Sequence, residues 1–223
     1  MWNWDEVKNK ILLNDCMEIM KQIPDKYIDL AITDPPYGIN INTDKASVIP
    51  NKSVNPNFGK KEWDKSIPDK DYFNELIRIS KNQIIWGGNH FLDYLGYCKA
   101  PIIWDKLNGG SMYADGEMAW TSKDLPKNLR IWKHQWCGAF KDSERKKINI
   151  HPTQKPVALY QWILQNYAKP NDKIIDTHSG SGSLACACHL EGFDFLAIEK
   201  DEDYYKSSVE RFETLTSQGR LFT

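Results

Sequence analysis

Asp34, Pro35, Pro36 and Tyr37 bring a carboxylate, a stiff stretch of backbone and an aromatic ring together in four consecutive residues. The two prolines lack an N–H and fix their own φ, so the carbonyls around them are free to accept hydrogen bonds from another molecule. Two acceptors beside a stacking face suit a planar group that carries an NH2, such as a nucleobase. The competing reading is a plain turn, because Asp-Pro and Pro-Pro dipeptides punctuate many chains. A second constellation lies towards the other end: Asp176, then Thr177-His178-Ser179-Gly180-Ser181-Gly182-Ser183, then Glu199. Glycines there let a ligand approach the backbone, and an acidic residue about twenty positions on takes ribose hydroxyls.

The elements that must position these groups follow from the apolar pattern. Ile28–Thr33 reads as a buried strand that delivers Asp34 at its end, and Asp15 caps a preceding helix whose apolar face is Met17, Ile19, Met20 and Ile23. Asp69–Ser80 has helical spacing. Asn82–Trp86 and Pro101–Trp104 read as further strands, the first ending in Gly87-Gly88-Asn89-His90-Phe91. Residues 38–68 are polar and aperiodic, which predicts a lid that orders on ligand binding, with Lys60, Lys61 and Lys65 reaching phosphates. Pro156 opens a helix to Tyr167 after His151-Pro152-Thr153-Gln154-Lys155. Asp172–Asp176, a helix from Leu184, the strand Phe193–Glu199 and a helix from Asp201 to Leu215 complete the chain. Strands alternating with helices predict an α/β fold, mainly parallel, with helices on both faces and the site along the carboxyl edge.

Gly180, Gly182 and Ala185 also satisfy a dinucleotide-binding pattern, but only 24 residues follow Glu199, too few to complete such a sheet downstream. The remaining strands must come from the N-terminal part, so both constellations share one sheet. Cys186-Ala187-Cys188-His189 falls on the helix after the glycine turn and reads as packing rather than as a ligand set. The loop residues His90 and His151 read as orienting groups.

The chain has 223 residues, 41% of them hydrophobic, and a net charge of −1. No apolar run is long enough to span a membrane, and the first residues have no signal-peptide pattern, so a cytoplasmic location is expected. Five cysteines without paired spacing exclude a disulfide framework and a structural zinc site. Between residues 107 and 150 the period is lost, apart from strand-like Glu117–Thr121 and Leu129–Trp132. Between Lys123 and Lys147, the basic residues Lys123, Lys127, Arg130, Lys133, Lys141, Arg145, Lys146 and Lys147 outnumber three acids, with Trp132, His134, Trp136 and Phe140 interleaved. That mixture suits a phosphate backbone and exposed bases, or a solvated loop over a few core aromatics.

In combination and in order, Asp34–Tyr37, Trp86–Phe91, a variable region, His151–Pro156 and Asp176–Ser183 resemble the beta-class, circularly permuted DNA amino-methyltransferases, in particular small enzymes of phages and mobile elements. The resemblance covers the chain outside about 107–150. It implies a Rossmann-like S-adenosylmethionine-dependent fold: residues 1–106 and 151–223 form the catalytic domain, and 107–150 a target-recognition insert. It assigns cofactor contacts to Asp15, Cys16, His151, Thr153, Lys155, Asp176, Ser179, Gly180, Gly182 and Glu199, with Glu199 on the ribose and Lys155 on the methionine carboxylate. It makes Asp34, Pro35, Pro36 and Tyr37 catalytic, Tyr37 stacking on a flipped base and Phe91 standing at its other face. The implied substrate is duplex DNA, methylated at adenine N6, since Asp rather than Ser opens the clamp. Cytosine N4, RNA, a protein amide and a catalytically silent DNA-binding module are the alternatives. No metal is implied. A homodimer and a cognate restriction endonuclease stay open as partners.

Overall fold

The computed structural model describes residues 2–40, 48–49, 53–54, 61–109, 114–125, 128–137, 140–144 and 149–219. In chain order its elements are α1 (Trp4–Val7), β1 (Lys10–Leu13), α2 (Cys16–Met20), β2 (Ile28–Thr33), β3 (Val48–Ile49), β4 (Ser53–Val54), α3 (Lys70–Ile79), β5 (Ser80–Trp86), α4 (Leu92–Leu95), β6 (Ile102–Asp105), β7 (Gly116–Thr121), β8 (Arg130–Lys133), β9 (Trp136–Cys137), β10 (Phe140–Lys141), α5 (Val157–Tyr167), β11 (Ile174–Asp176), α6 (Ser183–Glu191), β12 (Phe195–Glu199) and α7 (Glu202–Gly219). Asp15 caps α2 by accepting from the Met17 N–H, and Asp69 caps α3 by accepting from the Tyr72 N–H.

Eight strands share one sheet in the order β1-β12-β11-β2-β5-β7-β6-β8. Every pair is parallel except the two that β7 makes, with β5 and with β6. Alternate side chains feed two cores. Leu30, Ile32, Ile84, Trp86 and Ile174 pack under α5, α6 and the apolar face of α7, whereas Ala31, Ile85, Ile175 and Leu196 pack under α2 and α3. This is the Rossmann-like α/β arrangement that the alternating pattern predicts.

Two topological facts place the site. First, β2 and β11 are parallel neighbours, with Leu30 level with Ile174 and Ala31 with Ile175, so the Asp34 turn and the glycine turn leave adjacent strands at one edge. Second, β6, β7 and β8 overhang that edge. Trp86, the last residue of β5, is level with Ala119, Ala119 with Ile102, and Ile102 with Arg130. The far ends Asp105, Gly116 and Lys133 therefore stand three residues higher, about 10 Å at strand spacing.

That wall revises the reading of residues 107–150. The segment supplies β7 and β8 to the main sheet, and Glu144 ties it down further by accepting from the Val157 N–H at the start of α5 and pairing with Arg211 of α7 at 2.7 Å. The loss of period reflects one antiparallel strand inserted between two parallel ones rather than a separate body. β1, which the pattern of the first thirteen residues did not signal, closes the other edge beside β12.

Candidate active site

Asp34 lies directly beyond β2, and its carboxylate is held from two sides. The Tyr37 hydroxyl donates to Oδ1 at 2.5 Å, and the Lys155 ammonium donates to Oδ2. Glu117, from the overhanging end of β7, faces the same two donors: its Oε2 is 3.0 Å from Lys155 Nζ and 3.3 Å from the Tyr37 hydroxyl, while Lys106 pairs with its Oε1. Two lysines and two carboxylates thus form a nearly neutral buried cluster. Burial raises the Asp34 carboxyl above the ordinary aspartate range, and Lys155 offsets only part of that. Burial acts on Glu117 too, but Lys155 and Lys106 outweigh it and hold the group at about 2. Lys155 is buried yet raised, because Asp34 and Glu117 surround it.

The turn itself is fixed from elsewhere in the chain. Asp64 Oδ1 accepts from the N–H groups of Tyr37 and Gly38 at 2.9 and 3.0 Å, the first donors after two prolines that have none. The Tyr37 ring lies flat against the end of β5: a Cβ at Gly87 would sit 2.1 Å from ring carbon Cε1, so only glycine permits the approach. His90 stacks on the same ring, with centroids 5.0 Å apart and planes 14° from parallel.

Beside the turn opens a cavity of 580 Å³ that reaches from Asp34 to Gly180, Glu199 and Asp15. Glu199 ends β12 and accepts from the Gly180 N–H at 2.7 Å and from the Lys200 and Asp201 N–H groups, which pins the glycine turn to the neighbouring strand. Gly182 adopts a φ of +69° with Ser208 Cβ 3.2 Å from where its own Cβ would be, so α6 starts close against α7. Asp176 is buried and pushed up to about 8 by that burial, with Asp34 and Glu199 adding to the effect. His151 and His178 are neutral, lowered by burial to about 3 and about 4. The Ser179 hydroxyl is buried in this wall with no hydrogen-bond partner among the described residues, an orphan polar atom beside the cavity. The donor set fits a nucleoside with a cationic tail: carboxylates at Glu199 and Asp15, hydroxyls at Ser179 and Thr153, and backbone opened by glycine, with Asp176 behind this lining.

Most residues singled out from the sequence meet here: Asp34 and Pro36 with Asp15, Cys16, His151, Thr153, Lys155, Ser179, Gly180 and Glu199 line this one cavity. Pro35 and Tyr37 line a recess of about 20 Å³ next to it, together with Ile39, Trp63 and Asp64. Others are placed differently from expectation. Phe91 is fully buried against Phe73 and meets Tyr37 only edge-on, so its faces are spent in the core and His90 covers the Tyr37 ring. The Lys155 ammonium, expected at a carboxylate of the cofactor, is paired inside the protein with Asp34 and Glu117. Lys61, expected at phosphates, is bound to Asp201 and Asp203 at the start of α7, and Lys65 pairs with Glu62. Lys141 donates to Asn149 and lies over the Trp136 ring, while Trp132 stacks on His134 and Trp136 is buried, so these aromatics belong to the core reading. Lys123, Arg130 and Lys133 are exposed. Lys60, Lys127, Arg145, Lys146, Lys147 and much of the expected lid lie outside the described residues. Glu117 and Asp64 are the groups that sequence reasoning missed. Glu117 heads the run Glu117–Thr121, and its position at a strand end was the one available signal.

Fold and site together define an α/β chain with a nucleoside-sized cavity at the carboxyl edge of its sheet, and residues 111–210 match the family model described as DNA methylase. The chain is 28% identical to the Type II methyltransferase M.HinfI of Haemophilus influenzae over 96% of this chain and 70% of that one, and 27% identical to the Type II methyltransferase M2.MboI of Moraxella bovis over 95% and 90%. The fold matches the crystal structure of the M1.HpyAVI–SAM complex with a TM-score of 0.57 at 24% identity, covering 91% of this chain and 98% of that one. It also matches the cytosine-N4-specific PvuII DNA methyltransferase with a TM-score of 0.59 at 13% identity, over 96% and 94%.

Proposed function

We propose that this protein transfers the methyl group of S-adenosylmethionine to the exocyclic N6 of an adenine flipped out of duplex DNA. The observation that carries the reading is the shared cavity: Asp34 and the Gly180–Glu199 wall line one space, on neighbouring parallel strands. The family match and the two Type II methyltransferase relatives support it. The cofactor supplies a methyl group on a cationic sulfur, and Asp176, Ser179, Gly180, Glu199, Asp15, His151 and Thr153 are the residues that would hold it.

The chain's own residues then act on the base. An exocyclic amine is a poor nucleophile because its lone pair is delocalised into the ring. The Asp34 carboxylate and the Pro35 carbonyl accept its two N–H bonds and favour a pyramidal nitrogen with the lone pair directed at the methyl donor. The methylated nitrogen must lose a proton, and the Asp34 carboxylate, raised by burial, is placed to take it and pass it to solvent. Tyr37 lies against Gly87 and under His90, so it offers a stacking face to the base once His90 swings off the ring. The recess beside Asp34, about 20 Å³, is the size of about one water, so Trp63 and Ile39 must give way before a base enters. We assign sequence recognition to residues 107–150, with Arg130 and Lys133 at phosphates, and the cytoplasm as the compartment. A homodimer and a cognate endonuclease are tested by light scattering and co-purification.

The decisive experiment incubates the protein with duplex DNA and labelled cofactor, then digests the DNA to nucleosides. N6-methyladenine is expected, with Asp34→Ala binding the cofactor normally but losing transfer by at least about 10²-fold. N4-methylcytosine instead would overturn the base assignment. DNA binding without any cofactor binding would leave only a silent DNA-binding module.

A further inference from the structure

We propose that Glu117 is a positioning residue that frees Asp34 for the target base. The inference rests on the methyltransferase reading. Each oxygen of Asp34 already accepts a charge-assisted or short hydrogen bond, Oδ1 from the Tyr37 hydroxyl and Oδ2 from Lys155, so an incoming amine competes with two donors for the carboxylate. Each of those donors already has a second acceptor. Glu117 Oε2 is 3.0 Å from Lys155 Nζ and 3.3 Å from the Tyr37 hydroxyl, and Lys106 steadies the other oxygen of the same carboxylate. When an amine N–H arrives at Asp34, the Lys155 ammonium and the Tyr37 hydroxyl turn to Glu117. The exchange keeps every donor satisfied and the cluster's charge constant, which removes the cost of stranding a buried cation. The overhang of β7 above the sheet edge is what brings a carboxylate to this height. Glu117 need not touch substrate; it acts through Lys155 and Tyr37.

The test uses Glu117→Gln in the full-length protein with the recognition sequence found by methylome sequencing of an expressing host. Two duplexes are compared with S-adenosylhomocysteine present, one with the natural target base and one whose target base lacks the amino group. Wild type should bind the natural duplex more tightly. Glu117→Gln should bind both alike, keep its cofactor Kd, and lose kcat by on the order of 10²-fold. Undiminished discrimination and kcat in Glu117→Gln overturn the proposal, and so does a parallel loss of cofactor binding and melting temperature, which marks a merely structural role. Glu117→Asp preserves the buried charge, and with it the fold, while drawing the carboxylate back by one methylene. It should show the same loss of discrimination, and wild-type discrimination in that variant also counts against the idea. A wild-type protein that methylates no duplex refutes the functional reading itself, a result distinct from any of these.

Discussion

At the scale of single residues, the group with the most to reveal is Asp176. It ends β11 beneath the glycine turn, buried, with a carboxyl pushed up to about 8, so near neutral pH it is largely protonated in the free protein. A cationic ligand in the cavity favours the ionised form, and binding must then release a proton. The sign follows: below about 8 each lower pH unit weakens cofactor binding roughly tenfold, and above it the affinity levels off. Calorimetric titration of S-adenosylmethionine between pH 6 and 9 measures this. Comparison with Asp176→Asn separates the side chain from the cofactor's own amine, and an identical pH profile in wild type and variant would refute the role. Legibility at this scale was uneven for a physical reason. Asp34, Asp176 and Glu199 each end a strand and stand beside turn residues of unusual backbone, so type and spacing mark them. Glu117 and Asp64 act through partners more than 25 positions away, Lys155 and Tyr37 respectively, and no local spacing encodes such a meeting.

Among the elements, strand ends decide the chemistry. β2 delivers Asp34, β5 delivers Gly87 as the floor for Tyr37, and β7 lifts Glu117 above both. Gly87 has a φ of +70°, and any Cβ there meets the Tyr37 ring at 2.1 Å, so Gly87→Ala must tilt the ring and loosen its hydroxyl from Asp34. The cofactor wall on β11 and β12 is untouched by that change. We expect Gly87→Ala to lower methyl transfer at least about tenfold while the cofactor Kd stays within twofold, since backbone strain of about 1–3 kcal/mol falls on the clamp alone. Equal activity in a folded Gly87→Ala protein would show that the flat contact is dispensable. The parallel strands were readable because burial on both faces writes continuous apolar runs such as Ile28–Thr33. β7 and β8 were read as short strands but not as members of the main sheet, because antiparallel insertion between β5 and β6 is a matter of pairing, which sequence period does not record. β1 was missed outright: four residues, Lys10–Leu13, with two of them exposed, carry too little pattern.

For the whole molecule the balance of charge matters more than its total. The net charge of −1 conceals exposed Arg130 and Lys133 on β8, one of the strands that overhang the site, while Lys61 and Lys141 are committed to internal partners. A duplex laid over the carboxyl edge, where Asp34 waits, would meet this wall first. Its phosphates would release counterions to the exposed cations but gain nothing from the committed ones. The affinity for duplex DNA should therefore fall steeply with salt. Lys133→Gln should lower the slope of log K against log salt by about 1, and Arg130→Gln by a similar amount, each leaving the pattern of methylated sequences unchanged. Lys141→Gln should leave the slope as it is and instead lower the melting temperature, because its ammonium bonds to Asn149 and rests on Trp136 within the fold. Filter binding across a salt series reads all three. A slope that responds to Lys141 but not to Lys133 would move the DNA off the overhanging wall and away from the face on which Asp34 opens.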